Sequence, residues 1–289
     1  MKTICWWSGG ITSAVACKVA IDMFGKENCR VIMIDTRNED DDTYRFKDDC
    51  EKWYEIEIET IDNFGGDYEC IQDVWEKHLS LNTANGAICS SRLKIEARKK
   101  WQKTNEYKNQ VFGFEFNAKE FKRAMGIKLN YPKAKPIFPL MMLAYDKEKC
   151  FEIVKEAGIR LPDAYTKYGL HNNNCLKTLC IQGTIGYWQK AMREHPDKYM
   201  TMGKLEQKLT KKKGKPITIN KDQSNASIEL AVKLNLGRKY CPVFLLPNED
   251  YPEFKDVMSM KPRKLEPLVD CNGFCPSDTA DLIEQGDLL

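Results

Sequence analysis

Residues 4–13 read Ile-Cys-Trp-Trp-Ser-Gly-Gly-Ile-Thr-Ser, an apolar run that breaks into two glycines and passes into the Ala/Val-rich segment Ala14 to Met23. This is the pattern of a strand, a tight turn and a helix start. Paired glycines let the backbone bend sharply and approach a ligand with no Cβ in the way. The hydroxyls of Ser8, Thr12 and Ser13 stand beside them, and the open N–H groups of a helix N-terminus attract an anion. The stretch predicts a cradle for phosphate or pyrophosphate formed by Ser8, Gly9, Gly10, Thr12 and Ser13. Its alternative is an ordinary strand-to-helix turn with small residues. Neither the Gly-x-Gly-x-x-Gly fingerprint nor the Gly-x-x-x-x-Gly-Lys-Ser/Thr loop is present at this turn.

The remainder of the first half alternates strand and helix patterns. Cys29 to Asp35 is a β-branched apolar run expected of a buried parallel strand, and Glu55 to Ile61 alternates charge and isoleucine like an edge strand. Gln110 to Phe114 predicts a further strand, whereas Pro132 to Pro139 carries three prolines and is expected to be irregular. Such an order implies an α/β fold, a Rossmann-like doubly wound and mainly parallel sheet, followed by a cysteine-containing, mostly helical or irregular C-terminal region. The expected division is 1–168 for the nucleotide-binding domain and 169–289 for the C-terminal region packed on it.

In a doubly wound sheet, ligands bind beyond the carboxyl ends of the strands. Asp35 and Thr36 end the second strand and are therefore expected beside the Ser-Gly-Gly turn, where a carboxylate accepts from a ribose hydroxyl or holds Mg2+. Asp40, Asp41 and Asp42 are read as caps of the helix that follows. Arg92 and Lys94 are either an anion-facing pair or a basic helix face, and Glu120 and Arg123 share a helical face as ligand contacts or as an i,i+3 ion pair.

The charge balance, 45 Lys+Arg against 42 Asp+Glu, gives no overall field for nucleic acid. The local run Lys204 to Lys215 is either a solvated helix end or a contact for a polynucleotide. No apolar run approaches the roughly 20 residues of a membrane helix, and a soluble cytoplasmic protein is expected. Twelve cysteines without a secretory leader suggest reduced thiols. Cys175 and Cys180, with Cys271 and Cys275, make a four-thiolate site for a 4Fe-4S cluster or zinc conceivable; unrelated thiols and a redox dithiol are the other readings.

Taken together, Ser8-Gly9-Gly10-x-x-Ser13, Cys89-Ser-Ser-Arg-Leu-Lys-Ile95, the Glu120/Arg123 spacing and the run from Gly169 through Asn172-Asn173-Asn174-Cys175 to Tyr187-Trp188 resemble the bacterial and phage phosphoadenosine phosphosulfate (PAPS) reductase-like proteins of the PP-loop ATP pyrophosphatase superfamily. In that pattern Thr12 replaces an Asp. The resemblance implies an adenine nucleotide, ATP or PAPS-like, with the basic residues Arg92 and Lys94 and the carboxylate Asp35 in catalytic roles and Mg2+ on the phosphates. It implies ATP-dependent adenylation with pyrophosphate release and sulfur transfer to a nucleic acid (tRNA or DNA) or a small molecule. The alternative is a sulfonucleotide reductase working with thioredoxin, although the reductase Glu-Cys-Gly motif does not occur in the chain. A third reading, from Thr12 in place of Asp, is a nucleotide-binding module without catalysis.

Overall fold

The computed structural model describes residues 1–83, 86–173 and 175–268. They form two compact units, one built from Met1–Gly66 and Ser90–Asn174, the other from Asp67–Cys89 and Cys175–Val269. The chain runs β1 (Lys2–Trp7), α1 (Ile11–Phe24), β2 (Cys29–Ile34), α2 (Asp41–Tyr54) and β3 (Ile58–Ile61) in the first unit. It enters the second for α3 (Ile71–His78) and the antiparallel pair β4 (Asn82–Thr83) and β5 (Gly86–Ala87). A π-helical turn, Ser90–Ile95, leads back to α4 (Glu96–Thr104), β6 (Tyr107–Val111), α5 (Ala118–Asn130), β7 (Pro136–Ile137), α6 (Pro139–Met142), α7 (Lys147–Glu156) and α8 (Asp163–Thr166). The second unit then adds α9 (Ile185–Glu194), α10 (Pro196–Lys213), β8 (Asn220–Asp222), α11 (Asn225–Lys233) and β9 (Cys241–Val243).

In the first unit, five parallel strands lie in the order β3-β2-β1-β6-β7. The chain winds outward from β1 through β2 to β3 and then resumes on the other side of β1 at β6, so the strand order reverses between β1 and β6. Side-chain alternation along β1 supplies both faces. Cys5 and Trp7 join α1, α2 and α7 in one core, while Ile4 and Trp6 join α4 and α5 in the other. Each fully buried side chain of this size contributes about 1.5–3 kcal/mol.

Local chemistry sets the element ends. Asp40 caps α2 by accepting from the Asp42 N–H at 3.0 Å, Asn117 caps α5 through the Glu120 N–H at 2.8 Å, and Asp146 caps α7 through the Lys149 N–H at 2.8 Å. Two expectations need correction. The strand expected at Gln110 to Phe114 lies earlier, at Tyr107–Val111. The proline-rich segment expected to be irregular supplies the fifth strand, β7. Pro136 fits there because β6 and the residue after it bond to the carbonyls of its neighbours: Gln110 N–H to Lys135 at 3.5 Å and Phe112 N–H to Ile137 at 3.0 Å. The amide proton that proline lacks is not required in this pairing.

The second unit is organised by two buried polar side chains. The Glu206 carboxylate on α10 accepts the N–H groups of Ile219 at 2.7 Å and Leu245 at 2.6 Å, joining the segments that flank β8 and β9. Burial pushes the Glu206 carboxyl up to about 8 against the lowering effect of those two N–H donors. Gln189 on α9 donates to the carbonyls of Met260 and Lys261 and accepts from the Arg263 N–H at 2.8 Å, so the segment 260–264 runs along α9. Gly186 permits this approach, since a Cβ there would lie 2.2 Å from the Lys264 carbonyl oxygen. No described helix is long and apolar enough to cross a membrane.

Candidate nucleotide-binding site

The turn between β1 and α1 lies at the reversal point of the sheet. Gly9 has φ +83°, a conformation that favours glycine, and a Cβ on it would stand 2.8 Å from Thr43 Cγ2. Gly113, just beyond β6, passes directly under the first turn of α1. A Cβ at Gly113 would lie 2.4 Å from Ser13 Cα and 2.6 Å from Ser13 N. Only hydrogen at position 113 allows the two segments to meet.

Inside the turn, the Ser13 hydroxyl donates to the Gly10 carbonyl at 2.8 Å and accepts from the Ser8 N–H at 3.1 Å. The Ser8 hydroxyl meets it at 3.0 Å. These two serines therefore shape the loop. The Tyr165 hydroxyl accepts the Ile11 N–H at 3.2 Å, and Asn173, only 4 % exposed, donates to the Gly9 carbonyl at 2.9 Å and meets the Thr43 hydroxyl at 3.1 Å. Among the described residues, no acceptor takes the N–H groups of Gly10, Thr12 or Ser13. No acidic residue stands in the first turn of α1, where Thr12 is buried. The helix start therefore presents free donors and an uncompensated positive dipole end.

Asp35, the residue after β2, is half-buried and accepts from the Tyr44 hydroxyl at 3.0 Å and from the Arg37 N–H at 2.7 Å. Next to it, the Thr36 hydroxyl donates to Glu39 at 3.0 Å. Glu39 is 2 % exposed and Lys94 is 7 % exposed, with Nζ to Oε1 at 3.8 Å. Lys94 belongs to the π-helical turn, a distortion that often marks functional positions. The structure thus brings Thr36, Glu39 and Lys94 together. Arg92, on the same turn, is ion-paired with Glu96 one turn on. Glu120 and Arg123 form a two-pronged pair at 2.9 and 2.7 Å, with the guanidinium 4.7 Å from the Phe114 ring centre.

Sequence reasoning did not single out Glu39, Thr43, Tyr165, Asn173 or Gly113. Asn173 carried a signal as part of a three-asparagine turn, and Glu39 as part of an acidic run, but nothing in either marks which member is buried.

The sequence profile of the phosphoadenosine phosphosulfate reductase domain matches residues 2–230. The chain belongs to this family. One of the solved structures that match it is the crystal structure of phosphoadenylyl-sulfate (PAPS) reductase from Candida auris, phosphate complex. It is 17 % identical, with 60 % of this chain and 79 % of that chain covered and a TM-score of 0.42. A comparison with curated protein sequences returns no match.

Of the four cysteines expected to converge, Cys175 and Cys180 lie in the second unit. Cys175 is half-buried, Cys180 is buried, and both thiols raise the Tyr187 hydroxyl's proton affinity, after burial itself, which raises it most. The Tyr187 hydroxyl accepts the Cys180 N–H at 3.2 Å. Leu179 precedes Cys180 at φ +68°, an unusual value for a bulky side chain. Cys271 and Cys275 lie outside the described residues. Among the described residues, no group of three or more His, Cys, Asp or Glu is gathered in a metal-holding arrangement.

The Lys204 to Lys215 run forms the end of α10, closed by Gly214 at φ +67°. Lys208 pairs with Glu76 at 2.7 Å and Lys213 donates to the Leu79 carbonyl at 2.6 Å. Lys204, Lys211, Lys212 and Lys215 are exposed.

Proposed function

We propose that the first unit binds an adenine nucleotide across the carboxyl ends of β1, β2 and β6, and that the protein is an enzyme of sulfonucleotide chemistry. The observation that carries this is a single coincidence. Three N–H donors with no acceptor among the described residues, a helix start with no acidic residue, and the reversal point of a parallel sheet occur at residues 10–13. Family membership supports the same reading.

In this reading Gly10, Thr12 and Ser13 hold phosphate oxygens, and Ser8 and Ser13 keep the turn in shape. Asp35 accepts from a ribose hydroxyl, Thr36 lies next to it, and Lys94 and Arg92 balance phosphate charge. Glu120 and Arg123 complete the wall after β6. Catalysis by such a site is mainly positioning and charge stabilisation.

The reaction follows first from the family: a sulfonucleotide of the PAPS type. A cysteine thiolate attacks the sulfonate sulfur, the bond from sulfur to the phosphate oxygen breaks, and the nucleoside phosphate leaves with the bonding pair. A thioredoxin dithiol then reduces the S-sulfocysteine, releasing sulfite and leaving as a disulfide. Stabilising the departing phosphate is the part the free N–H groups perform.

One observation favours a second reaction, which is that no Glu-Cys-Gly occurs in the sequence. In that reading the bound nucleotide is ATP with Mg2+. A substrate oxygen attacks the α-phosphate and displaces pyrophosphate, and a sulfur nucleophile then displaces AMP from the adenylated tRNA, DNA or small molecule. The exposed lysines at the end of α10 supply the contact for a polynucleotide. The described residues provide Cys175 and Cys180 toward a 4Fe-4S cluster or zinc, two thiols where a cluster takes four, and neither reaction above is routed through such a group.

Incubation with PAPS and reduced thioredoxin, and separately with ATP and Mg2+, distinguishes them. Sulfite release supports the reductase; pyrophosphate and AMP release supports adenylation. Nucleotide binding with neither product would overturn both reactions and leave a binding module.

A further inference from the structure

One N–H at the start of α1 does have an acceptor, and it comes from far along the chain. The Tyr165 hydroxyl accepts the Ile11 N–H at 3.2 Å and stands 3.5 Å from where a Cβ on Gly10 would lie. The phenol oxygen therefore sits among the residues whose other N–H groups, those of Gly10, Thr12 and Ser13, have no acceptor among the described residues.

The rest of the side chain explains how the oxygen is held but not why it is there. The ring packs against the core that Cys5 and Trp7 enter, edge-on to Phe151 with ring centres 5.1 Å apart. α8, which carries Tyr165, is pinned to the first turn of α2. The Asp42 carboxylate accepts the Asp163 N–H at 2.7 Å, the Arg160 guanidinium pairs with both Asp42 and Asp163, and Arg45 donates to the Arg160 carbonyl at 2.8 Å. Phenylalanine would fill the same apolar space; the hydroxyl is the part that reaches the turn.

A phenol oxygen accepts through its lone pairs and donates one O–H. Here a lone pair is turned to Ile11, so the proton is directed away from that N–H. Accepting a bond also polarises the O–H and strengthens it as a donor. An anion that takes the N–H groups of Gly10, Thr12 and Ser13 comes up beside this oxygen.

We infer that the Tyr165 hydroxyl is a phosphate-binding group of the turn, accepting from Ile11 and donating to a phosphate oxygen of the nucleotide. This rests on the nucleotide reading given above. The group recognised is the phosphate oxyanion, so the contact is made by ATP, PAPS and inorganic pyrophosphate and not by adenosine.

The test replaces Tyr165 in the full chain by phenylalanine and, separately, by a ring-fluorinated tyrosine whose hydroxyl titrates below the ordinary tyrosine value of about 10. Tyr165→Phe is expected to weaken ATP or PAPS by about tenfold and to leave adenosine unchanged. Bound phosphate disfavours a phenolate beside it. Nucleotide should therefore raise the titration midpoint of the fluorinated ring, read from its fluorine resonance, and nucleotide affinity should fall as pH rises through that midpoint. The same titration without nucleotide is the baseline, since Lys147 over the ring and the nearby Asp42, Arg160 and Asp163 are present in both. A hydroxyl that only shapes the turn still accepts from Ile11 as phenolate and shows neither effect. Amide resonances of Gly10, Thr12 and Ser13 in the unsubstituted protein report the site itself. If they ignore nucleotide, the reading of the site fails and this inference with it. If they respond while Tyr165→Phe keeps full affinity, while adenosine is weakened equally, or while the fluorine midpoint does not move, the assignment to Tyr165 alone is overturned.

Discussion

Asn173 donates its side-chain amide to the Gly9 carbonyl at 2.9 Å, joining positions 164 residues apart and holding a glycine whose φ is +83°. The Ser-Gly-Gly turn is therefore not self-contained. It takes its shape from Asn173 and Thr43 as well as from its own serines.

Asn173→Ala should loosen the turn without touching the N–H groups themselves. The expected outcome is a stability loss of about 1–2 kcal/mol and nucleotide affinity weaker by about tenfold, read by urea unfolding and by titration. Stability lost with affinity unchanged would show that Asn173 serves the fold alone.

Gly113→Ala places a Cβ 2.4 Å from Ser13 Cα and 2.6 Å from Ser13 N, and backbone on both sides cannot yield. A loss of about 3 kcal/mol is expected. Gly65→Ala meets nothing within 4 Å and carries only the strain of φ +89°, about 1 kcal/mol. Chemical denaturation of the two variants side by side checks the difference, and equal losses would remove the close approach of β6 and α1 as the reason for glycine.

Lys94→Met removes the lysine ammonium that faces the Glu39 carboxylate, 2 % exposed, at 3.8 Å. Breaking a buried pair from one side costs about 3 kcal/mol. Adding Glu39→Gln should restore part of that loss, and a double-mutant cycle should return a coupling above about 0.5 kcal/mol. Additive losses would mean that the two groups do not interact across 3.8 Å.

The sheet was legible because buried parallel strands leave continuous apolar runs, as in Cys29 to Ile34. The cap of α2 was legible from local sequence too: of the acidic run before it, Asp40 is the N-cap and Asp41 and Asp42 stand in the first turn. β7 was hidden because its two residues are set by partners on β6 and not by their own pattern. Thr36, Glu39 and Lys94 were only half visible. Position at a strand end is a sequence property, but burial of one carboxylate in an acidic run depends on a lysine 55 positions later. Asn173 and Gly113 act through contacts at long sequence separation, which no local pattern encodes.

Burial raises the Glu206 carboxyl to about 8, well above its ordinary value near 4.5. With the folded value above the unfolded one, its contribution to stability is fully present below pH ~4.5 and is lost as pH rises through about 8. Glu206→Gln cannot titrate, so its stability should vary less over that window than that of the unsubstituted protein. Urea unfolding at pH 5 and pH 8 measures this. The same pH dependence in both proteins would place the titration elsewhere.

In the proposed site the N–H groups at the start of α1, which have no acceptor among the described residues, hold nucleotide phosphate. Amide resonances of Gly10, Thr12 and Ser13, followed while ATP or PAPS is added to the full chain, test it most directly. Saturable shifts are expected at all three, weakened in Asn173→Ala. Nucleotide binding that leaves these three amides unmoved would contradict it.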